Sequence, residues 1–411
     1  MDSRECFIPA LRFTGFEDCW KEYRLGDFSQ SIKRVVSDTQ VHIMMITAQN
    51  GFINQSDRYS FNNAGESLKK YIELHKGELA YNHGASKLRP FGSCFSLQID
   101  KARIPFVYHC FSIKENDPEF ISLVLNNKNT EGQLRKIVTS GARMDGLLNI
   151  SFEQYCSLNL KIPSLKEQQV IADFFKSLDS MITLTSKKIE KLKQALTGCM
   201  QTMFPLEGES IPKIRFKGFE GEWKSIPLKA FAKKKIEKNV GIKYSITLTN
   251  SAEYGVINQR DFFDHNISNS NNIGVYNIID NDDFVYNPRV SVTAPVGPIN
   301  RNQLGYIGIM SPLYLIFSVD GINKDYLSYF FKTTLWYNYM KFNGNSGARF
   351  DRLAISDDDF FNMPIAVPQD SKEQLRIANY FKSLNEMISL QSKRLNLLKH
   401  IKSACLDNMF V

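Results

Sequence analysis

Two stretches of this chain carry apolar residues at alternating spacings of four and three. The first runs Ile171, Phe175, Leu178, Ile182, Thr185, Ile189, Leu192, Leu196, Cys199, Met203. The second runs Ile377, Phe381, Leu384, Ile388, Gln391, Leu395, Leu398, Lys402, Cys405, Met409. Such an a/d stripe, kept over several heptads, predicts a coiled-coil helix in each case. Pro163 and Pro368 stand just ahead, Ser164 and Glu167 are spaced as a capping box, and Ser371 heads the second first turn. A helix of roughly 40 residues spans about 60 Å. Neither is stable without a partner for its stripe, and the other stretch is the obvious partner. A parallel pairing is hard to build, because a whole globular segment must fit between the end of one helix and the start of the next. The expected arrangement is therefore antiparallel, with a pseudo-two-fold relation. The polar interruptions Thr185 and Gln391 lie near mid-stripe, where facing polar residues pin register; the bland alternative is two unrelated solvated positions.

Elsewhere the pattern is mixed α/β. Strand-like runs fall at 41–47, 94–99, 104–112, 245–249, 283–286 and 306–319, and helical runs at 119–127 and 324–343. Strand order is not legible.

The chain repeats itself. Pro9-Ala-Leu-Arg12-Phe-Thr-Gly-Phe-Glu-Asp-Cys-Trp20-Lys recurs as Pro212-Lys-Ile-Arg215-Phe-Lys-Gly-Phe-Glu-Gly-Glu-Trp223-Lys. Gly51-Phe-Ile-Asn-Gln55 recurs as Gly255-Val-Ile-Asn-Gln259, and Tyr81-Asn82 as Tyr286-Asn287. Ser140-Gly-Ala-Arg143-Met-Asp145 matches Ser346-Gly-Ala-Arg349-Phe-Asp351, and Lys166-Glu-Gln168 matches Lys372-Glu-Gln374. The offset is nearly constant, so the chain is two copies of a unit of roughly 205 residues. Residues 30–140 and 235–345 have diverged between copies while the unit ends stayed alike. Drift explains that, or each copy recognises something different. The expected fold is α+β, mixed α/β globular domains with two long helices in an antiparallel coiled coil, as a tandem repeat. The boundaries are 1–162, 163–205, 206–367 and 368–411.

Composition narrows the partner. A formal net charge of +8 favours an anionic one, nucleic acid or a membrane surface. No apolar run reaches transmembrane length, and the first ten residues lack a signal-peptide core. The 7 cysteines are scattered without a C-x-x-C pair, so reduced thiols are expected.

Catalytic signatures are missing from the sequence. There is no phosphate loop, no dinucleotide fingerprint and no H-E-x-x-H, and the 6 histidines lack metal-ligand spacing. Tyr286-Asn-Pro-Arg289 lacks the second proline and the aromatic of an amino-methyltransferase motif. The acidic groups Asp280–Asp283 and Asp357–Asp359 have no equivalent in the first copy and read as solvated loops or a helix N-terminus.

Candidate DNA ligands cluster near turns. Asn50, Asn54, Gln55 and Arg58 in the first copy correspond to Asn258, Gln259 and Arg260 in the second; amides can pair with adenine edges and arginine with guanine. Asn82, Lys87, Arg89, Arg289 and Arg301 form a second set, and Arg143 and Arg349 a third. Ordinary loop chemistry is the competing reading for the first group, and for Arg143 and Arg349 the competing partner of a phosphate is a buried carboxylate such as Asp145 or Asp351. Residues shared by both copies suit scaffold or phosphate roles better than base choice.

Two variable segments alternating with two matched helices, each opened by a Pro-to-Glu-Gln stretch (Pro163-Ser-Leu-Lys-Glu-Gln168; Pro368-Gln-Asp-Ser-Lys-Glu-Gln374), resemble the specificity subunits of type I restriction-modification systems. The resemblance spans the chain; Leu228-Lys-Ala-Phe231 departs from Leu25-Gly-Asp-Phe28 of the first copy. It implies a non-catalytic bacterial cytoplasmic subunit. Each variable domain reads one half of a bipartite double-stranded DNA site, and the helices set the spacer. It also implies that the helices dock two modification subunits, which use S-adenosylmethionine to methylate adenine N6. Restriction subunits add ATP- and Mg²⁺-dependent cleavage, and this chain binds no cofactor itself. The alternatives are a coiled-coil scaffold with two ligand-binding domains, which strong, salt-sensitive DNA binding would argue against, and a stand-alone nuclease, which absence of cleavage by the isolated chain, with activity only when partners are added, would dispose of.

Overall fold

Leu165 to Thr202 form one uninterrupted helix, and Ser371 to Asn408 form another. Neither contains a proline, and the first-turn N–H groups of Glu167 and Lys372 donate to the side chains of Ser164 and Asp370. In this computed structural model, residues 6–35, 41–58, 65–138, 147–262, 273–345 and 351–411 are described. Arg143 and Arg349 lie outside them, as does Asp145. Packing divides the chain into Met1–Ser186 with Lys393–Val411, and Lys187–Ser392. The cuts fall inside both long helices rather than at their ends, so each unit holds half of each helix.

In the first unit, the sheet order is Ser29–Ser31, His109–Ile113, Leu79–Asn82, Ser93–Ser96, all antiparallel. Lys21–Arg24 pairs with Asn159–Ile162, leading directly into the long helix. Two further ladders join Met44–Thr47 to Gly51–Asn54 and Ile72–His75 to Lys101–Ile104. The helices Pro118–Leu125 and Lys128–Ile137 are capped by Asp117 and Asn127. A core of Trp20, Phe120, Tyr155, Ile171, Phe175 and Leu178 is completed by Leu398 from the second long helix and by Met409 and Phe410 just after it. The Phe175 and Phe410 rings lie 6.0 Å apart at a 34° tilt, and Lys402 donates to Asp179 at 2.5 Å. The two helix halves in this unit therefore run in opposite directions.

The second unit has the same orders with different residues. Its four-stranded sheet runs Ala232–Lys235, Leu315–Val319, Phe284–Tyr286, Ile299–Arg301. Lys224–Pro227 pairs with Pro364–Val367, Leu248–Ser251 with Gly255–Asn258, and Asn277–Ile279 with Gly308–Met310. Its core gathers Phe204, Trp223, Tyr326, Phe330, Ile377, Phe381 and Leu384, with Leu192 and Leu196 packed against it.

No stripe position nominated from the sequence through Leu398 is exposed: Ile171, Phe175, Leu178, Thr185, Ile189, Ile377, Phe381, Leu384 and Leu398 are buried, and Ile182, Leu192, Leu196, Ile388, Gln391 and Leu395 are half-buried. The Thr185 hydroxyl is satisfied within its own helix, donating to the Met181 carbonyl at 2.7 Å.

Several expectations need correction. The run 104–112 is two strands, broken by a turn at Pro105 in which Tyr108 N–H donates to the Pro105 carbonyl. Pro312 divides 306–319 in the same way. The helical run 324–343 splits into Lys324–Phe330 and Tyr337–Asn343, where the Thr333 hydroxyl takes the Phe330 carbonyl. Cys6 and Cys19 form a disulfide, against the expectation of reduced thiols; the Phe7–Trp20 bridge brings their neighbours together.

Candidate nucleic-acid interface

The repeated sequence landmarks bind one another. Arg12 donates to both carboxylate oxygens of Glu167, at 2.7 and 2.8 Å, and its second amino group also reaches the Asp18 carbonyl. Trp20 adds a donor to Glu167 at 3.3 Å. Arg215 and Glu373 repeat the fork at 2.7 and 2.8 Å. The hydrogen bond to Glu167 raises the Arg12 guanidinium above its usual value, against the pull of burial. Gln168 accepts from Asp117 N–H at 2.9 Å, and Gln374 accepts from Asn323 N–H at 3.0 Å. The Glu-Gln pair thus fixes the start of each long helix to the segment before the first strand and to the cap of the neighbouring helix.

The Tyr-Asn landmark is a second piece of scaffold. Tyr81 and Tyr286 donate to the carbonyls of Phe91 and Val296, at 2.6 and 2.9 Å. Burial pushes both hydroxyls well above the usual tyrosine range, so they stay neutral donors. Gly92 and Gly297 follow those carbonyls at positive φ. A Cβ there would meet the Asn82 carbonyl oxygen at 2.5 Å and the Asn287 one at 2.1 Å, so only glycine fits. Asn82 donates to the Ile46 carbonyl and accepts from Gly84 N–H; Asn287 donates to the Asn250 carbonyl and accepts from Arg289 N–H.

Several nominated ligands are therefore turned inward. Besides Asn82, Arg89 donates to the Asn126 carbonyl at 2.5 Å and pairs with Glu131 at 3.5 Å, closing a helix end. The Arg301 side chain is 8% exposed and is held by Asp325 and Asp282, which removes it from the reach of a phosphate. Sequence alone does not show this, because strand register decides which way each side chain turns.

Others stand outward. Lys87, Arg58 and Arg260 are exposed, and the Arg289 side chain is 69% exposed. Asn54 reaches Asp57 at 3.3 Å, and Asn258 accepts from Arg260 N–H. Gln55 and Gln259 occupy matching turns. Their N–H groups donate to Ile43 and Thr247 carbonyls, each at 2.9 Å, and their buried amide oxygens have no donor among the described residues.

In the second unit a cleft of about 430 Å³ opens beside this turn, walled by Thr249, Gln259, Asn287, Arg289, Tyr314 and Arg352. Arg352 was not singled out by sequence; its one signal is proximity to the Gly-Ala-Arg-Phe-Asp351 landmark. A larger hollow of about 650 Å³, near Leu206, Trp223 and Phe342, is walled by a separate set of mostly apolar residues and holds none of the candidates.

The acidic groups are occupied in salt bridges and caps: Lys235 joins Asp280 and Asp283, Lys234 joins Asp357, and Ser356 caps the helix opened by Asp357. Among the described residues, no cluster of three or more potential metal ligands occurs, and no helix is long and apolar enough to cross a membrane.

Residues 17–194 match the family described as type I restriction modification DNA specificity domain. The type I restriction enzyme HindI specificity subunit of Haemophilus influenzae is 28% identical over 195 residues, which is 45% of this chain and 40% of that protein. The matched region thus spans well under half the length of that curated relative. Among solved structures, the S subunit of a type I restriction-modification system from M. genitalium superposes with a TM-score of 0.55 at 13% identity, over 98% of this chain and 99% of that one. It shares the fold. The HsdS subunit of Thermoanaerobacter tengcongensis gives 0.46 at 14% identity, over 95% and 96%.

Proposed function

We propose that this chain, whose residues 17–194 match the type I restriction modification DNA specificity domain family, is the DNA-reading subunit of a bacterial type I restriction-modification complex. The observation that carries the proposal is the second unit. It rebuilds the strand orders, the Arg-Glu fork and the Tyr-Gly loop of the family-matched first unit, with different residues around them. Two copies of one reading domain with different contents suit a bipartite site with two different halves. Residues 1–162 and 206–367 are the target recognition domains in this reading. The helices 163–205 and 368–411 form an antiparallel coiled coil that sets the spacer, as dimer geometry does for half-sites elsewhere.

The chain contributes no catalytic group of its own. Two modification subunits dock on the helices and methylate adenine N6 from S-adenosylmethionine; restriction subunits add ATP- and Mg²⁺-dependent cleavage in the cytoplasm. Adenine must leave the stack for methylation, so the reader tolerates a distorted duplex.

The test is methylation mapping in a host carrying this chain with its modification subunit. Exchanging residues 30–140 for those of a related specificity subunit should change one half-site and leave the other intact. A change in both halves, or no bipartite methylation with the wild-type chain, overturns the proposal.

A further inference from the structure

Each unit has one short bridge joining the Tyr-Asn turn to the segment after the Gly-Ala-Arg landmark. In the first unit the facing residues are Gly84 and Leu147. In the second they are Arg289 and Arg352. Like charges placed opposite one another in an antiparallel pair are destabilising. One carboxylate serves both: Asp351 lies 3.5 Å from Arg289 and 4.0 Å from Arg352. None of the residues walling the adjoining cleft is acidic. The cleft therefore carries a surplus positive charge, between neutral hydrogen-bonding walls such as Thr249 and Tyr314, whose hydroxyls meet at 3.0 Å.

The two arginines differ in setting. Arg289 stands at the rim, its side chain 69% exposed, while Arg352 is 28% exposed inside the walls. A rim guanidinium suits a phosphate. A guanidinium held between walls presents its planar fork to one acceptor pair, and on DNA the matching pair is O6 and N7 of guanine in the major groove. The backbone beside it is stiff, since Ser291 and Ala294 exchange hydrogen bonds at 3.0 and 3.2 Å and the Asn287 carboxamide braces Arg289 N–H.

We infer that Arg352 is a specificity-determining residue that reads a guanine in the half-site of the second recognition domain, with Arg289 holding the flanking phosphate. This rests on the proposed DNA-reading function and goes beyond it by naming the base and the side chain. The uncharged Gly84–Leu147 pair predicts that the first domain lacks the matching contact.

The experiment compares the wild-type modification complex with Arg352→Ala, Arg352→Lys and Arg289→Ala complexes. Methylation is mapped across a genome, and binding is measured on duplexes carrying each base at each half-site position. Lys keeps the charge and loses the fork. Arg352→Lys and Arg352→Ala should relax preference for guanine at one position of one half-site by about 5- to 150-fold, with the other half unchanged. Arg289→Ala should weaken binding to all sequences alike and lower the salt slope by about one. Unchanged preference in both Arg352 variants, or a uniform loss across all bases in both, overturns the assignment of Arg352. Those results leave the wild-type bipartite pattern standing, whereas absence of that pattern sinks the underlying reading instead.

Discussion

Replacing Arg12 by methionine isolates the energetics of the repeated fork. Glu167 is 1% exposed, and Arg12 supplies both of its short hydrogen bonds. With Arg12 gone, the buried carboxylate keeps, among the described residues, only the 3.3 Å contact from Trp20. Stranding one member of a buried ion pair costs about 3–5 kcal/mol. Against a typical domain stability of about 5–15 kcal/mol that is a large loss. Replacing Glu167 by methionine as well removes the stranded charge. The double variant should recover most of the loss and come within about 1 kcal/mol of wild type, because apolar replacement of a whole buried pair is often neutral or better. The backbone contact from Arg12 to Asp18 disappears in both variants and cancels in the comparison. Two packing units share each long helix, so a single melting transition is a poor readout. Amide hydrogen exchange resolved by peptide separates them: the single variant should lose protection in Lys21–Arg24, Asn159–Ile162 and the first turns of the Leu165–Thr202 helix. A single variant costing under about 1 kcal/mol, or a double variant as damaged as the single, refutes the view that the fork ties the two landmarks through a buried charge.

Removing one matched heptad from each long helix shortens the rods by about 10 Å, roughly the rise of three base pairs, and should shorten the methylated spacer to match; an unchanged spacer with full methylation refutes the ruler reading. Burial pushes the Glu119 carboxyl up, opposed by hydrogen bonds from Ser96 and Gln98. A folded value above the unfolded one means the native state holds more protons, so stability falls as pH rises from about 4 through the folded value. Glu119→Gln should therefore raise the unfolding temperature at neutral pH and have little effect below about pH 4; a larger benefit in acid contradicts the burial argument.

Much of the architecture was legible because repetition and helical periodicity are both one-dimensional signals. Ile171 to Leu196 follow a spacing that any helix imposes, and Trp20 with Trp223 marks the register of the copies. What escaped was set by contacts across long sequence separations. Nothing near Arg12 announces that its partner is Glu167, and nothing near Arg301 announces Asp325 on a neighbouring helix. Prolines that break a run were legible but outweighed by hydrophobicity at Pro105 and Pro312. The Cys6–Cys19 bond depends on the Phe7–Trp20 bridge, which cysteine spacing does not encode.

The described residues that the two copies share divide by where their polar atoms go. Arg12 and Arg215, Glu167 and Glu373, Gln168 and Gln374, Tyr81 and Tyr286, Asn82 and Asn287 all spend hydrogen bonds inside their own unit. A side chain whose donors and acceptors are already paired has little left to offer a base edge, and reassigning it exposes a buried polar partner at a cost of about 1–3 kcal/mol. These shared residues build the platform, whereas the shared Gln55 and Gln259 keep buried amide oxygens without a donor among the described residues; on the proposed DNA-reading function, discrimination falls chiefly to positions where the copies differ. The Gly84–Leu147 and Arg289–Arg352 bridges are such a position: the same backbone pairing carries no charge in one unit and two cations in the other. On the proposed DNA-reading function, one half of the site can change with little disturbance of the fold, because a side chain such as Arg289 stands outside the buried hydrogen-bond network.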